Sequence, residues 1–334
     1  MKIAVLYNVP SRRFVKDPTH RAAEEDTVES ATEVHEALLT KGIQSRLVPI
    51  SEDTIPDAVA SLVPYDLTFN LIEWTGVDTK YAMQTYDEFV KYEIPITGAT
   101  KECYRDTCNK IPMKKLLDDA GLPTAPWQSF HTGFEPVSET IVYPSIIKVS
   151  SEHSSVGVSK ESIVHTEKEL TSAVHRRIET FRQPVIAEAF LTGREFQVTL
   201  IERLNGLTIL PPAEILYIDG TDVPLLTYDS RWNVQHSDYG NSTVGIVKLD
   251  EKLSYVLSDM CMKAFQKLSF RDYARFDIRC NTQSVPYFLE VNSNPGLGDD
   301  EEYGMTISYK AAGLTFTDFV WEIICSAARR YDLV

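Results

Sequence analysis

Cysteine is scarce in this 334-residue chain: Cys103, Cys108, Cys261, Cys280 and Cys325 are odd in number and contain no C-x-x-C spacing. That excludes a disulfide framework, argues against a thiolate zinc site and fits free thiols in a reducing compartment. The first strand-like run is followed by "NVPSRRF" rather than G-x-G-x-x-G, and G-x-x-x-x-G-K-[ST] occurs nowhere. The dinucleotide fingerprint and the phosphate loop are thus both missing, which argues against a nicotinamide enzyme. Positive charge is short as well, with 33 basic against 48 acidic residues and a net charge of −15. No basic stripe is left for nucleic acid, and an anionic membrane surface would repel the chain. Long apolar runs are absent: Ile3 to Leu6 is too brief for the apolar core of a signal segment, and nothing approaches a membrane span. The expectation is a cytosolic protein without nucleic-acid or membrane partners.

What is present is enough apolar content, 43%, for two or three domains with real cores. From residue 1 to about 97, the β-rich runs "KIAVLY", "SRLVPI", "DLTFNLI" and "IPITG" alternate with amphipathic segments near 25–41 and 78–92. That alternation predicts a parallel sheet flanked by helices, an α/β domain. A helix over 109–120 stops at Gly121 and Pro123, so a boundary falls near 100. Beyond it follow a strand at 144–150, the loop "SEHSSVGVSK", a helix over 167–181 and a strand at 184–190. Later, "YARFDIRC" and "PYFLEV" flank a turn at Asn281 to Ser284 and read as an antiparallel hairpin. Phe316, Phe319, Val320, Ile323, Ile324 and Ala327 form the core stripe of a closing helix.

The hairpin carries the chemistry. Strand alternation puts Arg275 and Asp277 on one face of "YARFDIRC", and Glu290 and Asn292 on one face of "FLEVN", with Leu289 and Val291 opposite. Two carboxylates and an amide suit a hard divalent cation carried with nucleotide phosphates, Mg²⁺ first and Mn²⁺ as its substitute. Lys148 interrupts the apolar strand Ile146 to Val149, where an unpaired ammonium is costly, so it wants an anion. Just after it, Ser154, Ser155 and Gly157 offer hydroxyls and backbone N–H groups able to fold over phosphates.

Together, "NKIPMKKLLDDAGLPTAPW", "IIKVSSEHSSVGVSK", "VIAEAFLTGREFQVTLI", "YARFDIR" and "FLEVNSNPG" resemble the ATP-grasp fold, and most closely the D-alanine–D-alanine ligase family. The resemblance runs from about 97 to 334 and is weaker before that. It implies an N-terminal Rossmann-like domain over 1–100, a small ATP-grasp subdomain over 101–186, and a C-terminal subdomain over 187–334 that holds the metal. ATP would activate a donor carboxylate as an acyl phosphate, and an amine would attack it. By the same resemblance, Lys110 and Lys148 meet the nucleotide phosphates with Ser154. Glu188, Ala189, Phe190 and Leu191 meet adenine, and Glu195 holds the ribose. Asp277, Glu290 and Asn292 match the magnesium ligands, while Arg275 and the backbone N–H of Gly296 stabilise the oxyanion. Glu25 falls where a carboxylate binds the donor's ammonium, although Glu24, Asp26 and Glu29 crowd the same helix start, where acids also favour the helix dipole.

The chain also departs from the family pattern. The loop that usually carries Tyr-x-x-Lys-Tyr reads "TYDSRWNVQHSDYG", which puts Arg231 among the expected catalytic groups beside Ser155, and Trp232 among the substrate contacts. Arginine can pair with a carboxylate or phosphate there, in a different geometry. His153 stands where glycine is common, and "NVPSRRFVKDPTHR" lacks the usual glycine-rich opening. After the Pro-Gly turn, "LGDDEEYG" replaces small hydroxyl residues. Asp299 to Glu302 would repel a carboxylate, so the expected acceptor is an amine other than D-alanine, larger or cationic, unless that loop is simply solvated. Genuine D-alanyl-D-alanine synthesis and a non-catalytic ATP-binding protein are the alternatives. Family members are commonly dimers, so a homodimer is the expected assembly.

Overall fold

A computed structural model describes residues 1–10, 22–218, 220–221 and 223–334, with the side chains of residues 22–24 left aside. The expectations on "SRRFVKDPTHR" and on Glu24 lie outside the described residues. Strands β1 (Lys2–Asn8), β2 (Gln44–Ile50) and β3 (Leu67–Asn70) form a parallel sheet in the order β2-β1-β3. Alternation divides β1 between two cores. Ile3 and Val5 pack with Val34, Ala37 and Leu38 of helix α1 (Ala22–Thr40), whereas Ala4 and Leu6 pack towards α2 (Ile55–Ala60) and α3 (Thr79–Lys91). The run "IPITG" contributes no full strand, only a bridge from Ile96 to Thr68.

Helices α4 (Lys101–Thr107) and α5 (Lys110–Asp119) follow. The Thr100 and Asn109 side chains accept from the Cys103 and Ile111 N–H groups and cap them. Next comes an antiparallel sheet, β4 (Trp127–Phe130), β5 (Ser145–Val149), β6 (Ile163–Val164) and β7 (Val185–Ala189), in the order β4-β7-β5-β6. Helix α6 (Glu167–Phe181) covers it through Leu170, Ala173 and Val174. Strand β7 runs through 186 to Ala189, so this sheet ends three residues beyond the boundary expected from the sequence.

The larger sheet comprises β8 (Glu195–Arg203), β9 (Gly206–Ile209), β10 (Ala213–Tyr217), β11 (Ser242–Ile246), β12 (Tyr273–Cys280) and β13 (Pro286–Asn292). Its order is β11-β10-β8-β12-β13, with β9 on β8. Helices α7 (Tyr228–Trp232), α8 (Glu251–Lys267), α9 (Gly304–Ala311) and α10 (Phe316–Arg330) complete the chain. The expected α10 stripe is buried from Phe316 to Ala327, against α1 and β8. At its end Arg330 grips the fully buried Asp272 at 2.6 and 3.0 Å, and the Gly98 N–H donates to the same carboxylate at 2.7 Å. That clasp ties the end of the first sheet's domain to the large sheet. No single helix among the described residues is long and apolar enough to cross a membrane.

Candidate active site

One cavity is lined by strands of the two antiparallel sheets, by α1 and by Glu73 in the loop after β3, and the β12–β13 hairpin forms its floor. Asp277 lies opposite Glu290, and Arg275 opposite Asn292. A bulge between Asp277 and Ile278 shifts the register so that Ile278 meets Phe288 and Leu289 has no partner. Leu289, expected on the far face with Val291, therefore lines the cavity beside Glu290, because a bulge re-aims the side chain at the extra residue. Arg275 holds Asp277 through two bonds, Nε to Oδ1 at 2.8 Å and Nη2 to Oδ2 at 3.0 Å, and the Asn292 amide donates to Asp277 Oδ2 at 3.2 Å. Glu290 pairs with Lys110 at 2.7 Å. Burial pushes the Glu290 carboxyl up, but Lys110, His153 and Lys148 outweigh it and hold it at about 2. Among the described residues no three His, Cys, Asp or Glu side chains form a metal cluster by themselves. Two carboxylates and an amide, balanced here by Arg275 and Lys110, are an incomplete oxygen set of the kind that phosphate oxygens finish.

The roof is cationic. Lys148 does find an anion, but an internal one: Glu188 on the adjacent β7 receives Lys148 at 2.6 Å on one oxygen and Lys114 at 2.6 Å on the other. Burial opposes ionisation of Glu188, yet the two ammoniums hold its carboxyl below the usual range. Its carboxylate is thus committed to the lysines, and the triad carries one net positive charge. Lys110 Nζ also donates to the Glu152 carbonyl at 2.5 Å, leaving one of its three hydrogens. Phe190, Leu191 and Ile146 line the apolar end. There Arg279 stacks over Phe190 and Tyr217 and joins the Tyr217 hydroxyl on the same Glu195 oxygen, at 3.1 and 3.0 Å. The other Glu195 oxygen has no bond to a described residue.

Two segments meet across the cavity. The loop after β5 passes through Ser154 and Ser155 at φ +52° and +62° and Gly157 at +75°. A side chain at Gly157 would come within 2.8 Å of the Phe181 ring, so glycine is required there twice over. Trp232 Nε1–H donates to the Ser154 carbonyl at 3.0 Å, Ser155 Oγ donates to the Leu226 carbonyl at 3.0 Å, and Lys160 pairs with Asp238 at 2.8 Å. Trp232 thus acts as a latch outside the lining, while Arg231 lines the cavity with no carboxylate of the described residues in pairing range. Burial and then Arg275 hold the Arg231 guanidinium below its usual value.

The model of the D-Ala D-Ala ligase C-terminal family matches residues 116–325. The chain belongs to this family. It is 28% identical over 275 residues to a D-alanine–D-alanine ligase of Acinetobacter baumannii, covering 81% of this chain and 82% of that one. It is 27% identical over 298 residues to uncharacterized protein y4sG of Sinorhizobium fredii, covering 89% and 84%. In fold it matches the D-alanine–D-alanine ligase of Bacillus anthracis complexed with ATP, at TM-score 0.75 and 19% identity over 99% of both chains. This ligase is therefore an ATP-grasp enzyme that forms C–N bonds, and the expected fold class is met.

Every expected site residue of the ligase lines the cavity except Trp232 and Glu25. Glu25 is exposed, and Asp26 and Glu29, a turn of the helix round, face inward instead. Asp26 accepts the Tyr303 hydroxyl at 2.8 Å. Of the acidic block, Asp299 pairs with Lys310 at 3.0 Å and Glu301 with Lys310 at 3.1 Å, and only Asp300 reaches the lining, facing Glu29 and Glu33 across the cavity mouth. Sequence reasoning missed Lys114, whose signal was its i+4 spacing from Lys110 on one helix face. It also missed Arg279, two residues beyond Asp277 on the same strand face, and Glu73.

Proposed function

We propose that this ligase uses ATP and Mg²⁺ to join the carboxylate of an amino acid to an amine other than D-alanine. A donor carboxylate oxygen attacks the γ-phosphorus and ADP leaves; the acceptor nitrogen then attacks the acyl carbon, loses a proton and releases phosphate. Lys110, Lys148 and the Ser154–Ser155 loop are suited to the phosphates, Ala189 to Leu191 with the Arg279 stack to the base, and the open oxygen of Glu195 to a ribose hydroxyl. Asp277, Glu290 and Asn292 would hold the Mg²⁺, which supplies charge neutralisation on the phosphates. Arg275, with the Gly296 N–H at the same wall, would stabilise the charge that develops on the carbonyl oxygen.

The observation that carries the acceptor assignment is the wall between α1 and the 299–303 loop. Asp26, Glu29, Glu33 and Asp300 all line it. Burial first, and after it the neighbouring Glu29, Asp299 and Asp300, push the Glu33 carboxyl up despite the Asp299 N–H donated to it. A free amino-acid carboxylate would be repelled there, and an amine bearing a second cationic group would be attracted. The deciding experiment measures ADP release with ATP and Mg²⁺ against single amino acids of both hands, then pairs with di- and polyamines, with products identified by mass. Turnover is expected only in the presence of an amine acceptor. Turnover with D-alanine alone would sink the acceptor assignment and favour the D-alanyl-D-alanine reading that the names of the relatives suggest.

A further inference from the structure

Arg279 lines the apolar end of the cavity, yet it is almost fully buried and every edge of its guanidinium is in use. On β12 it lies directly opposite Glu195 of β8. Its Nε donates to the Gly193 carbonyl at 3.3 Å and its Nη2 to the Pro224 carbonyl at 2.6 Å, while Phe190 and Tyr217 stack against it. A planar cation fixed in this way is preorganised for its last partner. Nη1 is thereby set 3.1 Å from Glu195 Oε2. The Tyr217 hydroxyl donates to that same oxygen at 3.0 Å, and burial, then Glu195, push the hydroxyl's pKa up, so it keeps the hydrogen that it donates. Two donors thus meet on Oε2, and none of the described residues bonds Oε1. The positions left undescribed just after β10, Asp219 and Asp222, carry acids, which when ionised bring a carboxylate no side-chain hydrogen.

We infer that Arg279 and Tyr217 set how the nucleotide's ribose is read: by taking Oε2 they leave Glu195 a single oxygen, and so one well-made bond to the pair of ribose hydroxyls. This rests on the ATP reading of the cavity. A carboxylate with both oxygens free can meet two neighbouring hydroxyls with one oxygen each. With Oε2 taken, both hydroxyls would have to converge on Oε1 at an angle narrower than its lone-pair directions, so only one of them can be well aligned. A bond to a charged acceptor is strong when aligned and weakens steeply when it is not. Loss of one hydroxyl should therefore cost far more than loss of the other. Arg279 and Tyr217 act through Glu195 and are positioning residues.

Calorimetric titration of the whole chain with ATP, 2′-deoxyATP and 3′-deoxyATP, each with Mg²⁺ and without any amino acid, reads this in the absence of turnover. Wild type is expected to bind one deoxynucleotide about tenfold or more weakly than ATP and the other within about threefold of ATP. Tyr217→Phe and Arg279→Met each loosen the hold on Oε2, and the ratio of the two deoxynucleotide affinities is expected to move towards one, further in Arg279→Met. A packing defect would weaken all three nucleotides alike and leave that ratio unmoved; thermal melting run beside the titrations shows whether each variant is folded. Equal losses for the two deoxynucleotides in wild type, or no loss for either, would overturn the inference, and so would a ratio unchanged in both variants. A wild type that binds none of the three nucleotides would overturn the ATP reading itself.

Discussion

The Arg275 guanidinium and the Asp277 carboxylate, two residues apart on one face of β12, hold each other through paired bonds of 2.8 and 3.0 Å. Burial alone would lower the Arg275 pKa, but Asp277 more than offsets it and keeps the cation charged at the cavity wall. The group proposed for the developing oxyanion is thus aimed by the group proposed for the metal.

Replacing Arg275 separates catalysis from binding. Arg275→Ala should leave ATP affinity within a few-fold of wild type while turnover falls by about a hundred- to a thousand-fold. Arg275→Lys should recover little, because a lysine cannot reproduce the two-pronged bond to Asp277. Steady-state kinetics beside a nucleotide-binding titration checks both. A protein that only binds ATP would show no such separation.

The triad of Lys114, Glu188 and Lys148 sets an order of stabilities. Glu188→Gln leaves two ammoniums facing each other and should cost about 3–5 kcal/mol, whereas Lys114→Met leaves the Lys148 pair intact and should cost less. Urea unfolding gives both values. Because the folded Glu188 pKa lies below its ordinary 4.5, its contribution is complete above that value. The difference between wild type and Glu188→Gln should therefore shrink as pH falls below about 4.5 and vanish once the folded value is passed.

That triad also marks where sequence reading stops. The strands, most helices and the hairpin are local patterns of period 2 and 3.6, and they were legible because each apolar face had to be buried. "IIKV" announced a buried lysine, but its partner lies on a strand 40 residues later, across a sheet register that no local pattern fixes. The bulge that turns Leu289 inward has no sequence signal of its own. Glu25 faces out where Asp26 faces the cavity, because one residue on a helix is about 100° of rotation. Glu73 escaped because the tether that places it, a backbone bond to Asn8, reaches across 65 residues.

The Trp232 latch predicts a leak. Trp232→Phe keeps the ring beside Arg231 but removes the hydrogen donated to the Ser154 carbonyl, so the loop over the phosphates loses one of its ties to the α7 segment. The ratio of ADP released to amide product should rise about threefold or more as water reaches the activated carboxylate. Global stability should stay near wild type by thermal melting. A variant whose ADP and product remain matched would show that Ser155 and Lys160 hold the loop without it.

The acidic loop offers a test in which two adjacent aspartates should behave differently. Asp299 accepts the Tyr309 hydroxyl at 2.8 Å and pairs with Lys310, and these partners outweigh burial in keeping its carboxyl below the usual range. Its charge is therefore spent on α9, outside the cavity lining. Asp300 reaches the lining opposite Glu29 and Glu33. Asp300→Asn should raise KM for a cationic acceptor about tenfold and improve use of an acceptor carrying a free carboxylate, with donor kinetics unchanged. Asp299→Asn should leave acceptor choice alone and lower the melting temperature. Competition between one cationic and one carboxylate-bearing acceptor, with products weighed by mass, reads the choice directly. If Asp299→Asn shifted it as far as Asp300→Asn, selection would arise from the field of the whole loop rather than from the one carboxylate that faces the substrate.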